Sequence, residues 1–179
     1  MPFYKPNSNG NYLSHCNPHP AQEIIEDDNV SVILNNFNNN WNIRETRLKD
    51  LIDDVYHNLE RTEGFHYGVS EAAWALRDEN GWIPKRMVTC EHAVPSTIVI
   101  EEMRNEIENE SITTEQELLN FLRTHFYMCL ITKNEDNSLR IAGLHRRMPE
   151  TWNRNWNNWI VRYNYVGINL NENHIPTGH

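Results

Sequence analysis

An α+β fold, mostly helical with a small antiparallel sheet, is what this 179-residue chain predicts. Three observations carry it. Apolar residues recur at helical spacing over four separate stretches between Ile43 and His125. Phe126–Thr132 is a near-continuous apolar run of strand length, bounded by a turn. A second short apolar lead, Met87–Cys90, runs into Glu91 and His92 and is closed by Pro95. Several helices beside few strands make a helical layer packed on a small sheet.

The elements follow in order. Residues 1–22 hold Pro2, Pro6, Pro18 and Pro20 without periodicity, which predicts an extended arm ahead of a single globular domain at 23–179. His15, Cys16 and His19 in that arm are half of a zinc-ligand set, but no second ligand pair lies nearby, so a non-metal role is expected. Val30–Leu34 is a short strand or a buried turn of helix, and Asn35–Asn40 is a loop. From Ile43 to about Thr62, Leu48, Leu51, Ile52, Val55 and Leu59 share one helix face, with Asn42 at the N-cap and Gly64 past the end. A second helix is expected from Ser70 to about Asn80, closed by Gly81, with Val69, Ala72, Ala73 and Leu76 inward and Trp74 in packing.

After the strand bearing Glu91 and His92 comes a helix from about Ser96 to Asn109, burying Val99, Ile100, Met103 and Ile107. Thr114 and Glu117 have capping-box spacing and open a helix through His125. Thr132 with Glu135 repeats the box and opens a short helix ending near Gly143. Trp152, Trp156, Trp159 and Tyr163 recur at spacings of 4, 3 and 4, one face of a helix, which predicts packing.

The length is that of one domain able to bury a core without staples. A hydrophobic share of 39% with 10% aromatic residues excludes a disordered chain. No apolar run nears the roughly 20 residues a membrane span needs, and the start has no signal-peptide pattern, so no membrane partner and a cytoplasmic setting are expected. Cys16, Cys90 and Cys129 are odd in number and lack CxxC spacing, which fits a reducing compartment. The formal charge of −9 is unevenly spread: residues 1–132 carry 10 basic and 21 acidic side chains, a balance of −11. Residues 133–162 reverse it, with 6 basic (Lys133, Arg140, Arg146, Arg147, Arg154, Arg162) against 3 acidic (Glu135, Asp136, Glu150). That segment is the one suited to a polyanion; otherwise its arginines are solvated or paired to acidic helices.

Glu91 and His92 at a strand exit form the pattern with the most chemistry. A carboxylate can hold a hard divalent ion while a neighbouring imidazole deprotonates water. Successive strand residues face opposite sides, so both can serve one site only where the strand ends or bends, as the approach to Pro95 predicts. The Glu-His-x-x-Pro segment resembles the first half of the HNH, or ββα-metal, nuclease motif. A second likeness lies in Leu-Ile-Thr-Lys-Asn-Glu-Asp-Asn-Ser-Leu from residue 130, then Gly-Leu-His-Arg-Arg-Met-Pro-Glu-Thr-Trp, then Val-Arg-Tyr-Asn-Tyr-Val-Gly-Ile ending at 168. It is similar to the strand, acidic helix start, Gly-Leu-x-x-x-Met-Pro turn and Arg-Tyr-x-x-x-Gly-Ile close of HNH-type and restriction-like proteins. The resemblance spans about 87–168, with two helices inserted between the strands of the ββα element. It departs from the pattern at Asp136, where many members carry a metal-binding histidine on the helix.

The resemblance implies that His92 is the general base, with Glu91 beside it as metal ligand in a catalytic pair. Asp136 would be the second ligand, and the cofactor Mg²⁺ or Mn²⁺ with no organic group. Arg140, Arg146 and Arg147 are candidates for gripping nucleic-acid phosphate, since arginine forks suit phosphate oxygens. His145 is an alternative ligand, and Glu135 fits capping better than metal. Asp136 alone could equally serve the helix dipole. The expected function is therefore a metal-dependent endonuclease hydrolysing DNA, in host–virus or restriction conflict. The alternatives are a degenerate nucleic-acid-binding relative, or an acidic DNA mimic binding a protein partner.

Overall fold

The computed structural model describes residues 3–6, 31–35, 48, 50, 52 and 68–172. The candidate zinc residues His15, Cys16 and His19, most of the helix expected at 43–62 and residues 173–179 lie outside them. Residues 31–35 are helical with Ile33 and Leu34 buried, which decides between the two readings of that segment. Residues 48, 50 and 52 are helical as expected, with Leu48 and Ile52 in the core.

The fold is α+β. In chain order come β1 (Phe3–Tyr4), β2 (Gly68–Val69), α1 (Glu71–Trp74), β3 (Ile83–Pro84), β4 (Val88–His92), α2 (Ser96–Glu108), α3 (Glu115–His125), β5 (Met128–Thr132), α4 (Lys133–Ile141) and α5 (Val161–Tyr165). Short 3₁₀ turns at Glu150–Trp152 and Trp156–Asn158 precede α5. The start of the expected arm is extended: β1 pairs with β3 in a two-stranded ribbon.

The main sheet has the order β2-β5-β4. It is mixed, not purely antiparallel as expected: β4 runs against β5, and β2 lies parallel to it. Parallel strands need a long crossover, and the chain from α1 through α3 supplies it. β5, at the centre, buries Met128, Cys129, Leu130 and Ile131 in succession. A near-continuous apolar run is the sequence mark of a strand covered on both faces.

The helices begin where their capping residues say. In α3 the Thr114 hydroxyl accepts from the Glu117 amide at 3.3 Å, and Glu117 accepts from the Thr114 amide at 3.0 Å. In α4 the same reciprocal box joins Thr132 and Glu135 at 3.2 and 2.7 Å. Two expected helices are corrected. The segment from Ser70 keeps its cap, with the Ser70 hydroxyl accepting from Ala73, yet α1 is a single turn. The Asp78 carboxylate takes the amides of Asn80 and Trp82, both at 2.9 Å, and so offers the backbone a turn in place of a helix. Ala72 is consequently exposed and only Ala73 of α1 is buried.

The tryptophan ladder is likewise not one helix. Asn153 and Arg154 take left-handed φ values of 45° and 51°, which break any continuous helix there. Packing is nonetheless what these rings do: Trp152, Trp159 and Tyr163 are buried, and Trp159 stacks on Tyr127 at 4.9 Å.

Candidate functional site

The antiparallel register sets His92 opposite Met128 and Val88 opposite Thr132. The chain leaves β5 at Thr132, and the Lys133 amide bonds to the Met87 carbonyl at 3.0 Å, fixing the start of α4 beside the start of β4. From there α4 packs back across β4 and β5. Buried Leu139 anchors it, which leaves Asp136 and Arg140, four apart, on a common stripe. Strand, strand and helix therefore follow one another in space although α2 and α3 intervene in sequence.

A cleft of about 480 Å³ opens where these elements meet the turn after α4. Glu91, His92, Asp136, Arg140, His145 and Arg146 all line it. Pro95, Ser96, Thr97 and Ile100 close one side. The strand stops at His92 and the chain bends through Ala93 and Val94, so Glu91 and His92 both line the cleft. Phe126 sets the imidazole edge-to-face at 4.8 Å.

Both candidate ligand carboxylates are already engaged. Asp136 Oδ2 accepts from Arg140 Nε at 2.9 Å. That hydrogen bond first, then the Asp136 charge and the charge of Glu91, hold the Arg140 pKa above its ordinary value. Glu91 Oε1 accepts from Arg162 Nη2 at 2.6 Å. Arg162 has no solvent exposure, while the Glu91 side chain keeps about a fifth of its surface toward the cleft, so only the cation of this pair is fully desolvated. Behind the pair lie Cys129 and Tyr163. Burial pushes the Cys129 thiol up to about 12 and the Tyr163 hydroxyl well above its ordinary value, so neither ionises near neutrality. Their mutual contact falls short of a hydrogen bond of ordinary geometry.

Glu135 acts as a cap. Its Oε2 accepts from the Thr132 amide, the Thr132 hydroxyl and the Ser70 hydroxyl at 2.7, 2.9 and 2.7 Å. Among the described residues no group of three or more His, Cys, Asp or Glu is placed to hold a metal ion. Glu91 and Asp136 each keep one oxygen outside their ion pairs. A hydrated Mg²⁺ takes only one or two carboxylates together with phosphate oxygens, a mode that does not require a closed protein cage.

The basic excess of residues 133–162 is smaller than the count of side chains suggests. Arg140 and Arg162 are paired in the ways just described, and Arg154 reaches across to Glu101 at 3.2 Å and to Glu102 on α2. Lys133, Arg146 and Arg147 have no ion pair among the described residues. Of the expected phosphate-gripping residues, Arg140 and Arg146 line the cleft, while Arg147 is exposed outside its lining.

Arg162 is the site residue that the sequence reading missed. Its signal was a lone cation inside Trp-Ile-Val-Arg-Tyr, an apolar stretch in which a charge needs a buried partner. The protein-mimic reading rests on the balance of −11 over residues 1–132, and of the acidic side chains on the helix expected at 43–62, Asp50 is exposed while Asp53 and Asp54 lie outside the described residues. No helix among the described residues is long and apolar enough to cross a membrane. Comparison with protein-family models, with curated proteins and with solved structures found no match to this chain.

Proposed function

We propose that this protein is a divalent-metal-dependent nuclease that hydrolyses DNA phosphodiesters in the cleft at the end of β4. One observation carries the reading: the β4–β5–α4 succession brings Glu91, His92, Asp136 and Arg140 onto one cleft. A carboxylate beside an imidazole, a second carboxylate one helix away and arginines at the rim are the groups phosphodiester hydrolysis uses.

Arg146 and Arg140 bind the phosphate oxygens and orient the scissile group. His92 takes the proton from the attacking water, which directs the oxygen at phosphorus. Glu91 and Asp136 would hold the divalent ion, which would supply charge neutralisation to the phosphodiester. The buried wall of Ala93, Val94 and Pro95 keeps the base on a rigid support.

Supercoiled plasmid with Mg²⁺ or Mn²⁺ tests the reading. Wild type is expected to nick it, and His92→Ala to lose at least about 100-fold of that rate while retaining its thermal transition. Equal rates in a folded His92→Ala protein would remove His92 from the chemistry.

A second reading has its own support. Glu91 and Asp136 are each paired to an arginine, which suits a cleft that binds nucleic acid without cutting it. A gel shift at low ionic strength with Ca²⁺, alongside no cleavage in Mg²⁺ or Mn²⁺, would establish it in place of the nuclease. Cleavage that depends on His92 would exclude it.

A further inference from the structure

We propose that Arg162, which reaches no solvent, is the positioning residue of the cleft: through one guanidinium it fixes Glu91, the backbone of His92 and the turn that presents His145 and Arg146. The proposal rests on the nuclease reading of the cleft. Arg162 Nη2 donates to Glu91 Oε1 at 2.6 Å and to the His92 carbonyl at 2.5 Å. Its Nη1 donates to the Leu144 carbonyl at 3.2 Å. Leu144 immediately precedes His145 and Arg146 in the chain, and both of those line the cleft. The strand end and the turn after α4 are 52 residues apart by sequence between His92 and Leu144, yet they are bound by one guanidinium.

The chemistry of the residue suits this role and no direct one. A planar guanidinium presents donors in a fixed fork, so one buried group can set three acceptors at once. Lysine, with a single nitrogen, cannot reproduce the fork. Glu91 yields one oxygen, Oε1, to Arg162 and keeps Oε2 outside the bond, so the carboxylate is held in one rotamer at the cleft wall. Arg162 sits on α5, whose Tyr163 is itself fully buried, so the guanidinium has a rigid base. It does not line the cleft and therefore does not touch phosphate.

Arg162 holds Glu91 and His92, the groups assigned to the chemistry, and through Leu144 the turn that carries Arg146, so its loss acts mainly on turnover and to a lesser degree on binding. Arg162→Lys is expected to lower kcat by about 100-fold, the size of effect a misplacement near 1 Å produces, and to raise KM less than Arg146→Ala does. Arg146→Ala should show the reverse split, with KM raised. A folded Arg162→Lys protein with unchanged kcat, or with the loss entirely in KM, overturns the proposal. Should Arg162→Lys fail to fold, the guanidinium resonances of Arg162 in wild type decide. They are expected to exchange slowly with water and stay put on DNA addition, whereas rapid exchange like that of a surface arginine overturns the proposal. A wild type that cleaves nothing would sink the nuclease reading and leave this one to the imidazole resonances of His92. Those should move in Arg162→Lys and not in Arg147→Ala; resonances that stay in place overturn the proposal.

Discussion

His125 is the residue whose chemistry depends most plainly on burial. Its ring stacks on Phe121 at 4.1 Å and meets the edge of Trp156 at 4.4 Å. Its Nδ1 lies 2.9 Å from the Phe121 carbonyl and 2.7 Å from the Thr124 hydroxyl. Burial lowers its pKa from 6.5, and the Phe121 carbonyl and the charges of Glu102 and Glu106 only partly restore it. A histidine depressed in the folded state binds its proton more readily when unfolded, so its stabilisation is present above pH 6.5 and fades as pH falls from there toward the folded value. Denaturant unfolding of wild type should therefore show stability falling as pH drops below 6.5, and His125→Phe, which keeps the stack, should flatten that slope. Identical slopes in the two proteins would mean that His125 does not carry it. Arg162 shows the other side of burial: an ion pair between exposed groups, such as Arg154 with Glu101, is worth about 0–1 kcal/mol, and only the buried pair can hold geometry firmly.

At the scale of elements, the two capping boxes separate folding from the site. Thr132→Ala removes the acceptor for the Glu135 amide and one of three donors to the Glu135 carboxylate. Thr114→Ala removes the acceptor for the Glu117 amide in α3, while the donors to the Glu117 carboxylate, from Thr113 and the Thr114 amide, stay in place. Each should cost about 1 kcal/mol, read from denaturant midpoints. Their effects on plasmid cleavage should differ, because α4 carries Asp136 and Arg140 while no residue of α3 lines the cleft. Equal losses of activity in the two variants would show that cleavage follows global stability and not the placement of α4. These same boxes were legible in the sequence, because a cap is a local interaction between residues three apart. The single-turn length of α1 was less so, since it depends on the Asp78 carboxylate competing for two amides downstream. The break in the tryptophan ladder was hidden for a similar reason: nothing in Asn153 and Arg154 demands the left-handed φ they adopt.

Across the whole molecule, the α+β class follows from helical periodicity and one long apolar strand, while the pairing of β4 with β5 is read from the structure. The parallel seat of β2 was not legible, because a two-residue strand has no period to read. A common cleft for Glu91, His92, Asp136 and Arg146 was implied only by the family resemblance, and Arg162 emerged only from packing, as a buried charge between residues distant in sequence. The net charge of −9 sets the frame for function: three of the six basic side chains of residues 133–162 are spent on internal ion pairs, so under the proposed function a divalent ion would be needed to hold a phosphodiester beside two carboxylates. A crystal soaked in Mn²⁺ tests that need most directly. An anomalous peak bonded to the carboxylates of Glu91 and Asp136, with the His92 imidazole facing it across one water, is the predicted result. An ordered cleft without a peak at saturating Mn²⁺, or a peak held by other residues, would contradict it.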